Sequence, residues 1–409
     1  MGRVWKAAAV VAALVLGGGC SGRQAGQLEA WVEEQRAHHP SITFEAQYGL
    51  VGIIGGLVTV EVGSLTEARS FSDDLAEQWG TNGSGRFSLH VTWPVTGGST
   101  TLRLLSRHAA PDDAWAWADE PLPAGATGRR VGWALGPYSG PGREEWPRLI
   151  EYQTTTLATT LAAAPLHDGV YFAAYDIDSR YTGAFPGSQV PGRASALAQL
   201  EPHAWMIQGD LVTLLDDADL ATLGDIRTDL PWTLRQRSNL IHIGTGTVDT
   251  ALFRQLTDAG LRVTLLPGRI ELHEVPLEQC ADVLASFTTA LQVGVGCRGT
   301  GHHVWMVGEL PHVRDSWAAL NHNAVRRMPT VRVEPEQITV RMDGVPASDR
   351  AEALARLRGL PWPDERVVEV MADEAHVTFT STRQGTARGD RNPDAAGRAV
   401  LAAWDESAS

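Results

Sequence analysis

The chain has 409 residues, 43% of them hydrophobic, with 34 basic against 48 acidic side chains and a formal charge of −14. So acidic a chain is a poor partner for nucleic acid or for anionic lipid headgroups, and its length suits two to four domains. Lys6 is its only lysine, which excludes Schiff-base lysines, a Walker-type phosphate loop and Ser–Lys nucleophile pairs from the rest of the chain.

The N-terminus reads as a secretory signal peptide: Arg3 and Lys6, an unbroken apolar run over residues 7–16, then small residues up to Cys20. Ten apolar residues span about 15 Å as a helix, half of a hydrocarbon core of roughly 30 Å, so the run is too short for a transmembrane anchor. The small residues before Cys20 resemble the lipobox of bacterial lipoproteins, with Gly17 where that family commonly has Leu and Leu16 one step earlier. The resemblance implies removal of residues 1–19, acylation of Cys20, and a mature chain held on the extracytoplasmic face of the cell membrane. Ordinary secretion, leaving a free thiol, is the alternative. Residues 20–44 then make the lipidated cysteine and a tether: "SGRQAGQ" has the composition of a flexible linker, and "LEAWVEEQRAHHP" suits a short helix. No later segment is apolar for long enough to span a bilayer.

Beyond the tether, β-like runs alternate with amphipathic helices. In residues 45–136, "GLVTVEV" predicts a strand. "SLTEARSFSDDLAEQW" predicts a helix capped by Ser64 and Glu67, with Leu65, Ala68, Phe71, Leu75 and Trp79 as its apolar stripe. "RFSLHVTW" and "TTLRLLS" follow as strands, "DDAWAWADEP" as a helix and "RRVGWALG" as a strand. Residues 137–236 begin with a predicted long helix, "REEWPRLIEYQTTTLATTLAAA". The strand "GVYFAAYDID", the helix "RASALAQL" and the strand "HAWMI" come next, and Asp216, Asp217 and Asp219 suit the start of another helix.

Residues 237–328 are the clearest block. "NLIHIG" is a strand, "TVDTALFRQLTDAG" a helix ended by Gly260, and "LRVTLL" and "RIELHEV" a hairpin across Pro267 and Gly268. A helix starting near Pro276 buries Cys280, Val283, Leu284, Phe287 and Leu291, and "HVWMV" closes the block. Residues 329–386 repeat its front half with "ITVRM", a helix capped by Ser348, "RVVEVM" and "HVTFTS", and residues 387–409 form a C-terminal helix or tail. The fold class expected is α+β: tandem ferredoxin-like βαββαβ modules, with helices on one face of small, mostly antiparallel sheets.

"GHHVWMVGEL" (301–310) raises a metal site from His302, His303, Glu309 and His312. Adjacent strand residues point to opposite faces, no His pair has helical spacing and no CxxC exists, so only His303 and Glu309 remain as weak ligand candidates. The near copy "HAWMIQGDL" (203–211) explains the stretch as a duplicated closing strand, with Trp205 and Trp305 filling cores. Trp115, Trp117 and Trp362 fit either core or surface. "GVGCRG" (294–299) matches GxGxxG but has a helix before it and a strand after it, the reverse of a dinucleotide site, and reads as a loop. Cys280 and Cys297 are close enough in sequence to pair in an oxidising compartment, or else are two buried thiols.

Asp176 and Asp178 share one face of a strand and are the candidate acid–base pair; the solvated end of a strand offset by Arg180 is the simpler reading. No serine lies in a GxSxG elbow. Nothing calls for a cofactor. The function expected is a non-catalytic, membrane-anchored lipoprotein binding a protein or an envelope glycan, and the alternative is a secreted hydrolase built around Asp176 and Asp178.

Overall fold

The computed structural model describes residues 21–47, 57–82, 88–105, 112–133, 148–176, 180–244, 246, 248–287, 292–360, 365–373, 375–382, 388–389 and 395–406. The chain divides into two compact units, Met1–Asp210 and Leu211–Ser409. Among the described residues no helix is long and apolar enough to cross a membrane.

In the first unit, β1 (Thr43–Gln47), β2 (Leu57–Glu61), β3 (Ser88–Val95), β4 (Gly98–Leu105), β5 (Ala126–Trp133), β6 (Arg148–Thr154), β7 (Val170–Tyr175) and β8 (Phe185–Pro186) form one eight-stranded sheet in sequence order. Neighbours alternate. The pairs β1–β2, β3–β4, β5–β6 and β7–β8 are antiparallel, and β2–β3, β4–β5 and β6–β7 are parallel. Each parallel step is crossed by a helix: Leu65–Asn82, Asp112–Asp119 and Leu157–Ala162. Crossovers of one hand that always advance the same way put their helices on one face of the sheet.

Burial follows that geometry. Val58, Val60, Leu89, Val91, Leu102, Val131 and Ile150 face the helices and are fully buried, while the alternate residues stay part-exposed. The first crossover helix begins as its capping box requires: Glu67 donates its N–H to the Ser64 hydroxyl (3.2 Å), and its carboxylate accepts from Gly63 N–H (2.7 Å). Its Ala68, Phe71 and Leu75 pack on the sheet. Beyond β8, helix Val190–Leu200 leads to β9 (Ala204–Gln208), which Tyr181 joins through single bridges to Tyr175 and Gln208.

The second unit repeats the hairpin-and-helix step. Its strands are β10 (Leu211–Leu214), β11 (Trp232–Gln236), β12 (Asn239–Ile243), β13 (Arg262–Leu266), β14 (Arg269–Pro276), β15 (Gln292–Gly299), β16 (His302–Glu309), β17 (Thr330–Val333), β18 (Gln337–Arg341), β19 (Glu365–Ala372), β20 (Ala375–Thr382) and β21 (Arg388–Gly389), again in chain order. Parallel and antiparallel pairs alternate as far as β20. Asp219 and Asp249 cap helices Leu220–Gly224 and Thr250–Asp258 by accepting from Thr222 and Leu252 N–H.

The fold is therefore mixed α/β with large mixed sheets, and the small, mostly antiparallel ferredoxin-like sheets are corrected. A ferredoxin-like unit interleaves its strands, whereas here each strand pairs with its neighbour in sequence and the sheet keeps growing at one edge. Direct pairs β5–β6, β11–β12 and β16–β17 run across the boundaries expected near residues 136, 236 and 328.

Local expectations also change. The long helix over 143–164 is replaced, in its described part, by strand β6 and the short helix Leu157–Ala162. "RLIEYQT" buries Ile150, Tyr152 and Thr154 at a two-residue spacing, which outweighs the helix-favouring composition. "GVGCRG" is not a loop but most of strand β15. The helix expected from Pro276 starts at Cys280, because Pro276 still pairs in β14. The tether residues from Ser21 are helical, in Ser21–His38.

Candidate functional site

The aspartate candidates do not form a free pair. Asp176, at the end of β7, is buried; its carboxylate accepts from Arg180 N–H (2.9 Å) and pairs with the Arg180 guanidinium. Arg180 also reaches Glu201 (3.4 Å), whose two oxygens accept from the N–H groups of Leu157 and Ala158 at a helix start. This is a brace between loop and helix. Asp178 lies outside the described residues, as do Cys20 and Trp362.

The adjacent histidines His302 and His303 separate as strand alternation requires. His302 shares the helix side of β16 with Val304 and Met306, is 5% exposed, and its Nδ1 donates to the Met328 carbonyl (2.5 Å). His303 lies on the opposite face. Glu309 is exposed and 3.8 Å from His312 Nδ1. Among the described residues, no three His, Cys, Asp or Glu side chains converge as a metal-ligand set.

A different constellation occupies the face of the second sheet opposite the side that carries Val304 and Met306. Gly294 and Gly296 stand at alternate positions of β15 opposite Val307 and Trp305 of β16. A methyl group on Gly296 would meet Trp305 Cε3 at 2.9 Å, and one on Gly294 would meet Cζ2 at 3.2 Å. The indole therefore lies across both glycines, in a trough that a side chain would fill. His273 of β14 stacks on it, with centroids 5.4 Å apart and planes 14° from parallel. His303 leans over Gly296 from the other side.

Beside this platform opens a polar cavity of 820 Å³, lined by Glu274, Glu278, Arg298, Thr300, His302 and His303 among others. Glu274 has φ 58°, a left-handed geometry rare for a side-chain-bearing residue, at the bulge between Leu272 and Val275. There its carboxylate bonds Arg298 (2.5 Å). The rim is pinned by the disulfide Cys280–Cys297, which joins the first turn of helix Cys280–Ser286 to β15 next to Arg298.

Burial lowers the pKa of His273, His302 and His303; Arg298 adds to the effect at His303. The imidazoles are thus neutral at pH 7. His302 Nε2 is buried and unpaired, and with Nδ1 donating it is left as an acceptor. The site offers one aromatic platform, neutral imidazoles and one Arg–Glu pair. It suits hydroxyl-rich, uncharged ligands better than acid–base chemistry.

Sequence reasoning missed this site because it assigned Trp205 and Trp305 to cores. Trp205 is 53% exposed, and Trp305 is half-buried on the face opposite Val304 and Met306. Trp115 and Trp117, by contrast, are buried. The usable signal was a strand with alternating glycines pairing with a strand that carries tryptophan. Comparison with protein families, curated proteins and solved structures finds no match to this chain.

Proposed function

We propose that the protein is lipid-anchored through Cys20 on the extracytoplasmic face of the cell membrane and binds an envelope polysaccharide without turning it over. The anchor rests on the N-terminal pattern that ends at Cys20. The Cys280–Cys297 bond supports an oxidising compartment.

The observation that carries the binding reading is the Trp305 indole lying over Gly294 and Gly296 beside an open polar cavity. The C–H face of a pyranose would pack on the part of the half-buried indole that the glycines and His273 leave open, while Arg298, Glu274 and neutral imidazoles exchange hydrogen bonds with hydroxyls. Asp176, the acid the sequence offered, and Glu274 at the cavity are each engaged by arginine, which supports binding over hydrolysis.

The test is co-sedimentation of the exported chain with purified, insoluble envelope polysaccharide. Saturable binding by the wild type and its loss in Trp305→Ala are expected. Equal retention of Trp305→Ala, or no binding by the folded wild type, removes the reading.

A further inference from the structure

A second cluster occupies the face of the first unit's sheet opposite its crossover helices, independent of Trp305. Along three adjacent strands, His90 of β3 stands directly opposite Arg103 of β4, and Thr101 of β4 is in register with Arg130 of β5. Directly opposed residues are about 5 Å apart and diagonal ones about 7–8 Å, so all three cationic or imidazole heads reach one spot. Gly132 makes this arrangement possible: a Cβ there would lie 2.7 Å from Arg103 Cβ and 3.4 Å from its Cδ, so the Arg103 stem rests on bare backbone.

The charge is not balanced from within. Arg130 bonds Glu151 (3.3 Å) and lies 5.6 Å from the centroid of the Tyr175 ring. Among the described residues no ion pair or hydrogen bond holds Arg103, on which Glu151 and Arg130 act only through their charge, and Glu45 and Glu61 stand further out on β1 and β2. The Nε atoms of Arg103 and Arg130 and Nε2 of His90 are all buried without a partner. Unpaired buried donors are costly and rare, and the two arginine Nε–H groups, beside an imidazole nitrogen free to take either role, mark a missing acceptor. With His90 neutral, the two arginines and Glu151 leave a single positive charge, on a chain whose net charge is −14.

We propose that this cluster is a binding site for a phosphodiester group, held by Arg103 and Arg130 with His90 as the third contact. The single surplus charge matches a monoanion. Donors arriving from three strands suit a tetrahedral oxyanion better than a planar carboxylate. Tyr175 and Tyr181, both near Glu151 and Arg130, flank the site with phenols that burial keeps protonated.

The probe is dimethyl phosphate, followed by broadening of its phosphorus NMR resonance on titration with the full chain, with acetate as the carboxylate control. Saturable binding is expected, weakened about tenfold or more in Arg103→Gln and in Arg130→Gln. Gly132→Ala keeps every charge but displaces the Arg103 stem, and should weaken binding too. Arg235→Gln, an exposed arginine of the second unit, should bind as wild type. Each variant is compared only where its circular dichroism and melting curve show it folded. Wild-type affinity in folded Arg103→Gln and Arg130→Gln overturns the proposal, as does no binding by the wild type. Acetate binding as tightly as dimethyl phosphate overturns the assignment of ligand class.

Discussion

Reducing the Cys280–Cys297 bond should destabilise the second unit by an amount that follows from its place in the chain. The cysteines are 17 residues apart in sequence, both are fully buried, and the bond ties a helix start to β15. Closing a loop of that length removes chain entropy from the unfolded state worth about 3 kcal/mol. In a unit of this size each kcal/mol moves the melting midpoint by about 2–4 °C, so the reduced protein should melt roughly 6–12 °C lower. The assay is urea denaturation of oxidised wild type, reduced wild type and Cys280→Ala/Cys297→Ala. The reduced wild type isolates the cross-link. The double variant adds the two small cavities left by the thiols and should lose about 1 kcal/mol more. A reduced wild type within about 0.5 kcal/mol of the oxidised protein would refute the reasoning, since that is the range of changes that touch nothing structural.

Three further outcomes are expected. Cys20→Ala should move the protein from the membrane fraction to the soluble extracytoplasmic fraction; continued membrane retention would remove the anchor. Gly296→Ala should push Trp305 out of its trough, costing about 1–3 kcal/mol in stability and about tenfold in polysaccharide binding, and unchanged binding would show that the indole is only packing. Burial, reinforced by Arg130 and Arg103, lowers the His90 pKa to about 4. The unfolded imidazole titrates near 6.5, so the unfolded chain binds more protons between those values. Stability is full above pH 6.5 and falls as pH drops toward 4, by up to about 3 kcal/mol from this residue. His90→Gln should flatten that part of the stability profile, and an unchanged profile would show that His90 is solvated.

The sequence carried most of the elements and little of their pairing. Alternation in "GLVTVEV" and "RIELHEV", and the stripe of Ala68, Phe71 and Leu75, specify strand and helix because one face of each is buried. Which edge a hairpin joins is written in long-range register, such as Arg341 opposite Met371, and no local pattern encodes it. "RLIEYQT" and "GVGCRG" were misread because a strand with helix-favouring residues, or with glycine where a partner indole lies, departs from composition for a packing reason visible only across the sheet. Of the candidate site only His303 was legible as a residue, as a ligand candidate; Trp305 read as core and nothing singled out Arg298. The site was not legible as a place, because the face without helices depends on every crossover falling on the other side.

The most direct measurement incubates the exported chain with purified envelope polysaccharide and records, in one experiment, the fraction of polymer bound and the reducing ends released. The account predicts saturable binding that depends on Trp305, with no release above the protein-free control. Release that continues with time and disappears in Asp176→Asn would contradict it and make the protein a hydrolase.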